Sequence, residues 1–162
     1  MDDADFLIRR AVPHDAEAAR RVLVETWHDT YDSILGSEKV TEITGRWHAV
    51  EVLAQQIGSP DALFLVAEHP SRIIGHALAQ MPQPGVLFLS RLYVLPTWQR
   101  RGVGARLLGA VAEWRAGAAR MRLNVKAENV KGVAFYRRHG FTVVGERIDG
   151  GVRSLRMEKL LG

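Results

Sequence analysis

The stretch that decides the fold of this chain is Arg91-Leu92-Tyr93-Val94-Leu95-Pro96-Thr97-Trp98-Gln99-Arg100-Arg101-Gly102-Val103-Gly104-Ala105. It joins an apolar segment typical of a strand to an amphipathic helix through a basic, glycine-containing loop. Gly102 and Gly104 leave no Cβ over the turn, so backbone N–H groups could converge on an oxyanion at the helix N-terminus, where the helix dipole favours negative charge. The loop therefore predicts a phosphate-binding site, with Arg100, Arg101 and Arg106 as charged donors.

The spacing excludes two other phosphate-binding loops. A Walker loop requires Gly-Lys-Ser/Thr after a Gly and four residues, and no lysine follows either glycine here. The dinucleotide fingerprint requires a third Gly or Ala where this chain has Leu107, and no acidic residue closes the next strand-like run, 121–126. The remaining pattern is Gln/Arg-x-x-Gly-x-Gly/Ala, which Gln99, Gly102 and Gly104 satisfy.

A second block follows downstream: Asn129-Val130-Lys131-Gly132-Val133-Ala134-Phe135-Tyr136-Arg137-Arg138-His139-Gly140-Phe141. Asn129 stands seven residues before Tyr136, and a Gly-Phe pair comes after a short helical run. The two blocks, in this order and about a helix length apart, resemble the GNAT family of N-acetyltransferases. The loop matches the acetyl-CoA signature of that family, and the second block matches its C-terminal motif.

The resemblance is close over residues 86–145, loose over 6–31 and absent over 33–59. It implies the GNAT acyl-CoA N-acyltransferase fold, an α/β fold with a mixed, mostly antiparallel sheet flanked by helices on both faces. The order of strand-like and helix-like segments also predicts a mixed sheet with helices on both faces. Because no repeat, low-complexity stretch or linker interrupts the pattern, we expect a single domain over residues 1–162.

For the cofactor, the resemblance implies acetyl-CoA as the acetyl donor. Its pyrophosphate would bind the loop backbone, and its pantetheine arm would pair with main-chain groups of Leu92 and Val94. The amide near Leu92 would also stabilise the thioester oxygen as charge develops. The cofactor-binding residues expected on this basis are Leu92, Tyr93, Val94, Gln99, Arg100, Arg101, Gly102, Val103, Gly104, Ala105 and Asn129.

The catalytic residue that the resemblance implies is Tyr136, which matches the general acid that protonates the departing CoA thiolate. A tyrosine with a pKa near 10 keeps its proton at neutral pH and can donate it to a thiolate whose thiol has a pKa of about 8.5. Packing on an apolar helix face is the structural alternative for Tyr136. Asn129 has a structural alternative as well, the N-cap of the following helix, and it could serve in both roles.

The general base stays open at this level. Histone-type members of the family carry Glu at the position of Phe88, and some protein N-terminal acetylases carry Glu at the position of Asn124, so both of those substrate classes are disfavoured. The remaining candidates for the base are Glu25, His28, Asp29, Asp32, Glu68 and His76. Trp27, Tyr31 and Trp47 could line an acceptor pocket. The acceptor-site residues expected are Glu25, Trp27, His28, Tyr31 and Phe88, the last as a group that desolvates the amine.

The amino-acid composition limits the classes of ligand and partner that we expect for this protein. The formal net charge of +4 comes mainly from dispersed arginines, which suits the phosphates of CoA better than nucleic acid. The absence of cysteine excludes a thiol nucleophile, and the six histidines show no metal-binding spacing, so no metal is expected. An acidic N-terminal segment and the lack of a membrane-spanning apolar run favour the cytoplasm and no membrane partner.

The expected function is therefore acetyl transfer from acetyl-CoA to a primary amine of a small molecule. Direct attack in a ternary complex is expected, because no cysteine can carry the acetyl group. The alternatives left open are a protein or peptide N-acetyltransferase, a non-catalytic acyl-CoA-binding protein and a nucleic-acid-binding module. Whether the protein forms a homodimer is left open by the sequence.

Overall fold

The computed structural model describes residues 5–115 and 117–162, without the side chain of residue 149. Seven strands are present in this part of the chain: β1 Leu7–Arg10, β2 Ala62–His69, β3 Arg72–Gln83, β4 Val86–Val94, β5 Arg120–Lys126, β6 Thr142–Asp149 and β7 Val152–Leu160. It also holds five α-helices: α1 Ala16–Leu35, α2 Ser37–Trp47, α3 Val50–Gly58, α4 Val103–Trp114 and α5 Val130–Arg138. None of these helices is long and apolar enough to span a membrane.

The strands form one sheet in the order β1-β2-β3-β4-β5-β7-β6. All neighbouring pairs are antiparallel except β4 and β5, which run parallel and are joined through α4. A parallel pair needs such a crossover, whereas β2 and β3 are joined by a short turn. The predicted mostly antiparallel sheet is confirmed.

The central strands separate partway along their length. β4 pairs with β5 only from Val86 opposite Arg120 to Leu89 opposite Leu123. At this point β4 also carries a bulge at Ser90, because the register against β3 shifts between Leu78 and Ala79. A bulge bends its strand and increases the local twist. The last part of β4 therefore leaves β5, and a cleft opens in the middle of the sheet.

Helices cover both faces of the sheet, as predicted. On one face, here called the α1 face, α1 and α3 approach β4 through a Trp27–Tyr93 and a Gln56–Arg91 hydrogen bond. On the other, the α4 face, a Cβ added to Gly75 would come within 3.3 Å of a Leu107 methyl carbon. Close packing on both faces forms one large core, whose fully buried members include Val22, Ile74, Leu87, Leu107 and Met157.

Helix α2 differs from the prediction at Trp47, which is 65% exposed. Helical spacing places Trp47 on the same side as Val40, but it is the last residue of α2 and lies beyond the packed part of the helix. The next residue, His48, contacts the indole ring of Trp27 instead, at 5.4 Å between ring centroids. Trp47 therefore belongs to neither the core nor an acceptor pocket.

Candidate active site

The glycine loop adopts a tight, left-handed conformation immediately before α4. Gly102 is the N-cap, with a φ of 82°, and Arg100 also has a positive φ, 65°. The first intrahelical bond runs from Arg106 N–H to Gly102 C=O at 3.1 Å. The N–H groups of the preceding turn, Val103 to Ala105, have no acceptor within the helix and carry the positive end of its dipole. This geometry suits a phosphate group.

Gly104 has a second reason to be glycine. A Cβ at this position would lie 3.2 Å from the ring of Phe135 on α5 and 3.8 Å from Val94. Three parts of the structure, α4, α5 and the end of β4, therefore approach one another at Gly104. A larger residue would separate the two helices as well as narrow the space in front of the loop.

The last part of β4 presents main-chain polar groups to the cleft. Leu95 N–H donates to Ile74 C=O on β3 at 2.9 Å. Because antiparallel strands alternate between bonded and non-bonded pairs, Leu92 and Val94 direct their N–H and C=O groups away from β3, towards the cleft. The carbonyl oxygen of Val94 accepts from Gln99 Nε2 at 3.1 Å, which fixes that side chain against the strand. The main chain of Leu92 faces the gap between β4 and β5, where the two strands no longer pair.

A cavity of about 550 Å³ occupies this cleft. Its wall is formed by α1, the end of β4, the glycine loop, β5 and α5. The wall contains all three tyrosines of the chain. Of the residues expected at the site from sequence, it includes Trp27, Tyr31, Leu92, Tyr93, Val94, Gln99, Arg100, Gly104, Asn129 and Tyr136.

Two of the three tyrosines, Tyr93 and Tyr31, contact Trp27. The indole Nε1 of Trp27 donates to the hydroxyl of Tyr93 at 3.0 Å, and the Tyr31 ring lies 4.6 Å from the Trp27 ring. Burial raises the pKa of Tyr31, of Tyr93 and of Tyr136 above the ordinary tyrosine value. Each hydroxyl therefore keeps its proton at neutral pH and can act as a donor in the cavity.

Tyr136 is held on α5 by two aromatic neighbours. Its ring meets Phe135 and Phe141 edge-on, at centroid distances of 5.4 and 5.6 Å. The pKa of Tyr136 is raised first by burial and further by the nearby Tyr93 and Tyr31. Packing therefore fixes the ring, and the electrostatics keep its hydroxyl protonated.

Asn129 is the N-cap of α5, as the structural alternative predicted. Its Oδ1 accepts from Gly132 N–H at 3.0 Å. Its side chain also faces Tyr31 on α1, where it opposes the rise in the pKa of that tyrosine. The residue therefore lies between the start of α5 and α1 at the cavity. Its contact with a cofactor stays a prediction.

Three expected acceptor residues lie outside the cavity wall. Glu25 is exposed and pairs with Arg72 at 3.4 Å, because it precedes Trp27 by two positions and projects from another side of α1. His28 is paired with Asp32 at 2.7 Å. Phe88 lies where β4 still pairs with β5, opposite Arg122, so it is below the cleft. These three residues are therefore not part of the cavity wall, and a role for them at the acceptor stays a prediction.

Among the candidates for the base, the cavity wall includes Asp29 alone. Glu68 is bound by Arg9 at 2.6 Å. His76 is fully buried between Phe64 and Tyr93, and burial lowers its pKa well below the usual histidine value, which keeps the ring neutral. In the described ranges, no three His, Asp or Glu side chains are grouped closely enough to hold a metal ion.

Sequence reasoning missed several residues of the cavity wall, including Arg91, Lys126 and Ser154. Alternation along β5 places Lys126 on the same face as Asn124, so part of the signal was present in the sequence. The pairing of β5 with β7, which brings Ser154 opposite Lys126, could not be read from local spacing.

A helix N-terminus suited to phosphate, an open strand edge and a tyrosine-lined cavity together define a protein of the acyl-CoA N-acyltransferase class. The chain belongs to the GNAT acetyltransferase family. The family model described as acetyltransferase (GNAT) domain matches residues 32–161, which include the glycine loop and the α5 block.

Individual relatives agree with this assignment. An uncharacterized N-acetyltransferase of Mycobacterium tuberculosis is 34% identical over 98 residues, covering 58% of this chain and 62% of that protein, less than two thirds of its length. Aminoglycoside N(6')-acetyltransferase type 1 of Stenotrophomonas maltophilia is 29% identical over 145 residues, covering 83% and 84% of the two chains. The crystal structure of PaiA N-acetyltransferase from Thermoplasma acidophilum, in complex with coenzyme A, is similar with a TM-score of 0.85, 29% identity and coverage of 96% and 98%.

Proposed function

We propose that this protein transfers the acetyl group of acetyl-CoA to a primary amine of a small molecule. The observation that carries the proposal is the cleft between β4 and β5. It brings the main chain of Leu92, the N-terminus of α4 and the hydroxyl of Tyr136 to a single cavity. The coenzyme A bound to the similar PaiA protein supports the choice of donor.

The residues present fit the parts of acetyl-CoA. The first turn of α4 and Arg100 supply N–H and guanidinium donors for the pyrophosphate. Lys131 and Arg138 add positive charge from α5. The open main chain of Leu92 suits the amide-rich pantetheine arm, which would occupy the gap left by β5.

The reaction proceeds by direct attack. The neutral amine nitrogen attacks the thioester carbonyl carbon, and the developing oxyanion is stabilised by the N–H of Leu92. Collapse of the tetrahedral intermediate breaks the carbon–sulfur bond, and the Tyr136 hydroxyl donates its proton to the departing thiolate. The nitrogen loses one proton, and the products are the amide and free CoA. Solvent then returns the proton of Tyr136.

The proton of the amine needs an acceptor, because at pH 7.4 only about one part in a thousand of an amine with a pKa near 10.4 is neutral. Asp29 is the carboxylate that borders the cavity, and we assign it this role, acting through water from its exposed position on α1. Trp27 and Tyr31 surround the same space and remove water from the amine, and this desolvation lowers the pKa of the amine.

A small-molecule acceptor is supported by the size of the cavity. Its volume of about 550 Å³ holds the acetyl end of the donor and a compact amine. The relative from Stenotrophomonas maltophilia, an aminoglycoside N-acetyltransferase by name, is consistent with this substrate class.

Thermal unfolding and thiol release test the proposal together. Acetyl-CoA at a hundred times its Kd is expected to add about 2.7 kcal/mol of stability, whereas a random-sequence oligonucleotide adds none. With a panel of small primary amines, free CoA thiol is expected to appear at a rate proportional to enzyme. Stabilisation without thiol release from any amine would indicate an acyl-CoA sensor, and no stabilisation by any acyl-CoA would overturn the proposal entirely.

A further inference from the structure

A positively charged area of the sheet adjoins the cavity and has no part in the acetyl transfer proposed for this protein. On the α1 face of β5 and β7, four basic side chains share the surface with a single carboxylate: Arg120, Arg122, Lys126, Arg156 and Glu158. Glu158 accepts from Arg122 at 2.7 Å and from Arg120 at 3.1 Å. Its charge is therefore already shared between two of the four cations.

Within the described residues, the other two cations, Lys126 and Arg156, form no ion pair. Lys126 is half-buried, with its ammonium 6.0 Å from the centre of the Trp27 ring. Arg156 lies directly opposite Asn124, so it is the diagonal neighbour of Lys126 on the adjacent strand. Like charges on neighbouring strands repel each other, and an anion bound between them would remove that repulsion.

Lys126 of this pair lines the acceptor side of the cavity, and the exposed Arg156 lies beside it, outside the wall. Asn124, Lys126 and Ser154 belong to the cavity wall, together with Trp27. The glycine loop and Phe135 meet on the α4 face, whereas Lys126 contacts Trp27 on the α1 face. The cations suited to the CoA phosphates, Arg100, Lys131 and Arg138, come from the loop and α5, so Lys126 and Arg156 are not needed for that purpose.

We propose that the acceptor is an amine that also carries a carboxylate, and that Lys126 and Arg156 bind this carboxylate beside Asn124. The inference rests on the acetyltransferase function proposed above. Charge-assisted bonds from an ammonium and a guanidinium would hold one end of the acceptor on the sheet. Its amine would then extend past Trp27 towards the thioester. A diamine or polyamine would instead bring a second positive charge against Lys126.

The test compares amines that differ only in this group. Glycine with glycinamide, and 4-aminobutyrate with 4-aminobutanamide, are assayed by thiol release, with butane-1,4-diamine as the cationic probe. The wild type is expected to favour at least one carboxylate over its amide by about tenfold in kcat/KM, as for a hydrogen bond to a charged group. For glycine and glycinamide, this preference cannot come from the basicity of the amine. Glycinamide has the less basic amine, so a larger fraction of it is neutral and reactive near neutral pH.

Two variants and a matched control locate the effect. Lys126→Gln and Arg156→Gln are each expected to reduce the preference by about fivefold or more, mainly through the KM of the carboxylate. Arg10→Gln removes the same charge from β1, at the opposite edge of the sheet, and is expected to leave the preference unchanged. Raising the salt concentration should weaken the preference by screening.

Three results would overturn the inference. Equal kcat/KM values for carboxylates and amides, faster reaction of the diamine, or a carboxylate preference that survives both substitutions would each exclude this binding site. In those cases the acetyltransferase function itself would stand. If no amine reacts while acetyl-CoA still raises the melting temperature, the small-amine function and this inference fail together.

Discussion

The indole Nε1 of Trp27 donates a hydrogen bond of 3.0 Å to the hydroxyl oxygen of Tyr93. The bond joins α1 to β4 at the edge of the cavity, where Trp27 is buried and Tyr93 is half-buried. Because the indole N–H has no acceptor function and the phenol can both donate and accept, the Tyr93 proton stays available to a bound ligand. The bond therefore aligns two wall residues and leaves one donor for chemistry.

Removing one partner of this bond is expected to cost stability by an amount that depends on whether the other partner is present. Tyr93→Phe leaves the Trp27 N–H buried and unsatisfied, which should lower the free energy of unfolding by about 1–3 kcal/mol. Trp27→Phe together with Tyr93→Phe should destabilise by less than the sum of the single changes. Urea denaturation of the wild type and the three variants measures this coupling. Strictly additive losses would show that the two side chains do not interact.

Tyr136→Phe tests the general acid. We expect kcat to fall by about a hundredfold or more, with the KM for acetyl-CoA nearly unchanged, because the hydroxyl acts mainly on the departing thiolate. The ring keeps its contacts with Phe135 and Phe141, so the melting temperature should change little. Steady-state kinetics and pre-steady-state thiol release, which separates chemistry from product release, measure the effect. An unchanged single-turnover rate would remove Tyr136 from the chemistry.

Asp29→Asn tests the proton acceptor, with Asp32→Asn as its control. We expect Asp29→Asn to lower kcat/KM near neutral pH by about tenfold or more, and the loss to shrink as rising pH deprotonates the free amine. Asp32 is one turn further along α1, paired with His28, and is absent from the cavity wall, so its substitution should have little effect. Equal losses in both variants, or a loss independent of pH, would contradict the assignment.

Gly104→Ala tests the close approach of α4 and α5. Its Cβ would lie 3.2 Å from the Phe135 ring, so we expect a loss of about 1–3 kcal/mol in stability together with weaker acetyl-CoA binding. Adding Phe135→Leu, which creates room for the methyl group, should recover more stability than the two single effects predict. Chemical denaturation and calorimetric titration with acetyl-CoA measure both quantities. Wild-type stability in Gly104→Ala would show that the helices separate freely there.

His48 should make the protein sensitive to mild acid. Burial, with Arg91 and Arg20 nearby, lowers the pKa of His48 from its ordinary value of 6.5 to about 4. Because the unfolded chain binds this proton and the folded chain does not, stability is fully present above pH 6.5 and declines as pH falls towards 4, by at most about 3 kcal/mol. In His48→Gln, urea denaturation from pH 7 to 4.5 should show a shallower decline than in the wild type. Parallel profiles would contradict this origin.

The sequence was most informative where a function depends on neighbouring residues. The glycine loop, the N-cap at Asn129 and the strand before the loop were all placed correctly because turn chemistry and capping act over a few positions. The resemblance to the family pointed to the main chain of Leu92 and Val94, and the register of β4 against β3 directs those groups away from β3. These local features form the side of the cavity at which we propose that acetyl-CoA binds.

The acceptor side depends on tertiary relationships, and there the predictions were weaker. Phe88 was placed at the acceptor, but the Ser90 bulge and the divergence of β5 put the cleft further along β4. Glu25 was placed there because it is a carboxylate near Trp27, although the helix turns it to another side. The roles now proposed for Lys126 and Arg156 depend on the pairing of β5 with β7, which no short motif specifies.

The gap between β4 and β5 also has a mechanical meaning. Among the described residues, the two halves of the sheet are joined by the four register pairs from Val86 with Arg120 to Leu89 with Leu123, and no strand pairing joins them beyond Leu89. A pantetheine arm hydrogen-bonded along Leu92 would act as a temporary eighth strand beside β4, formed by the ligand rather than by the protein. The donor molecule would thereby become part of the architecture during each turnover, and its departure as CoA would return the sheet to its split form.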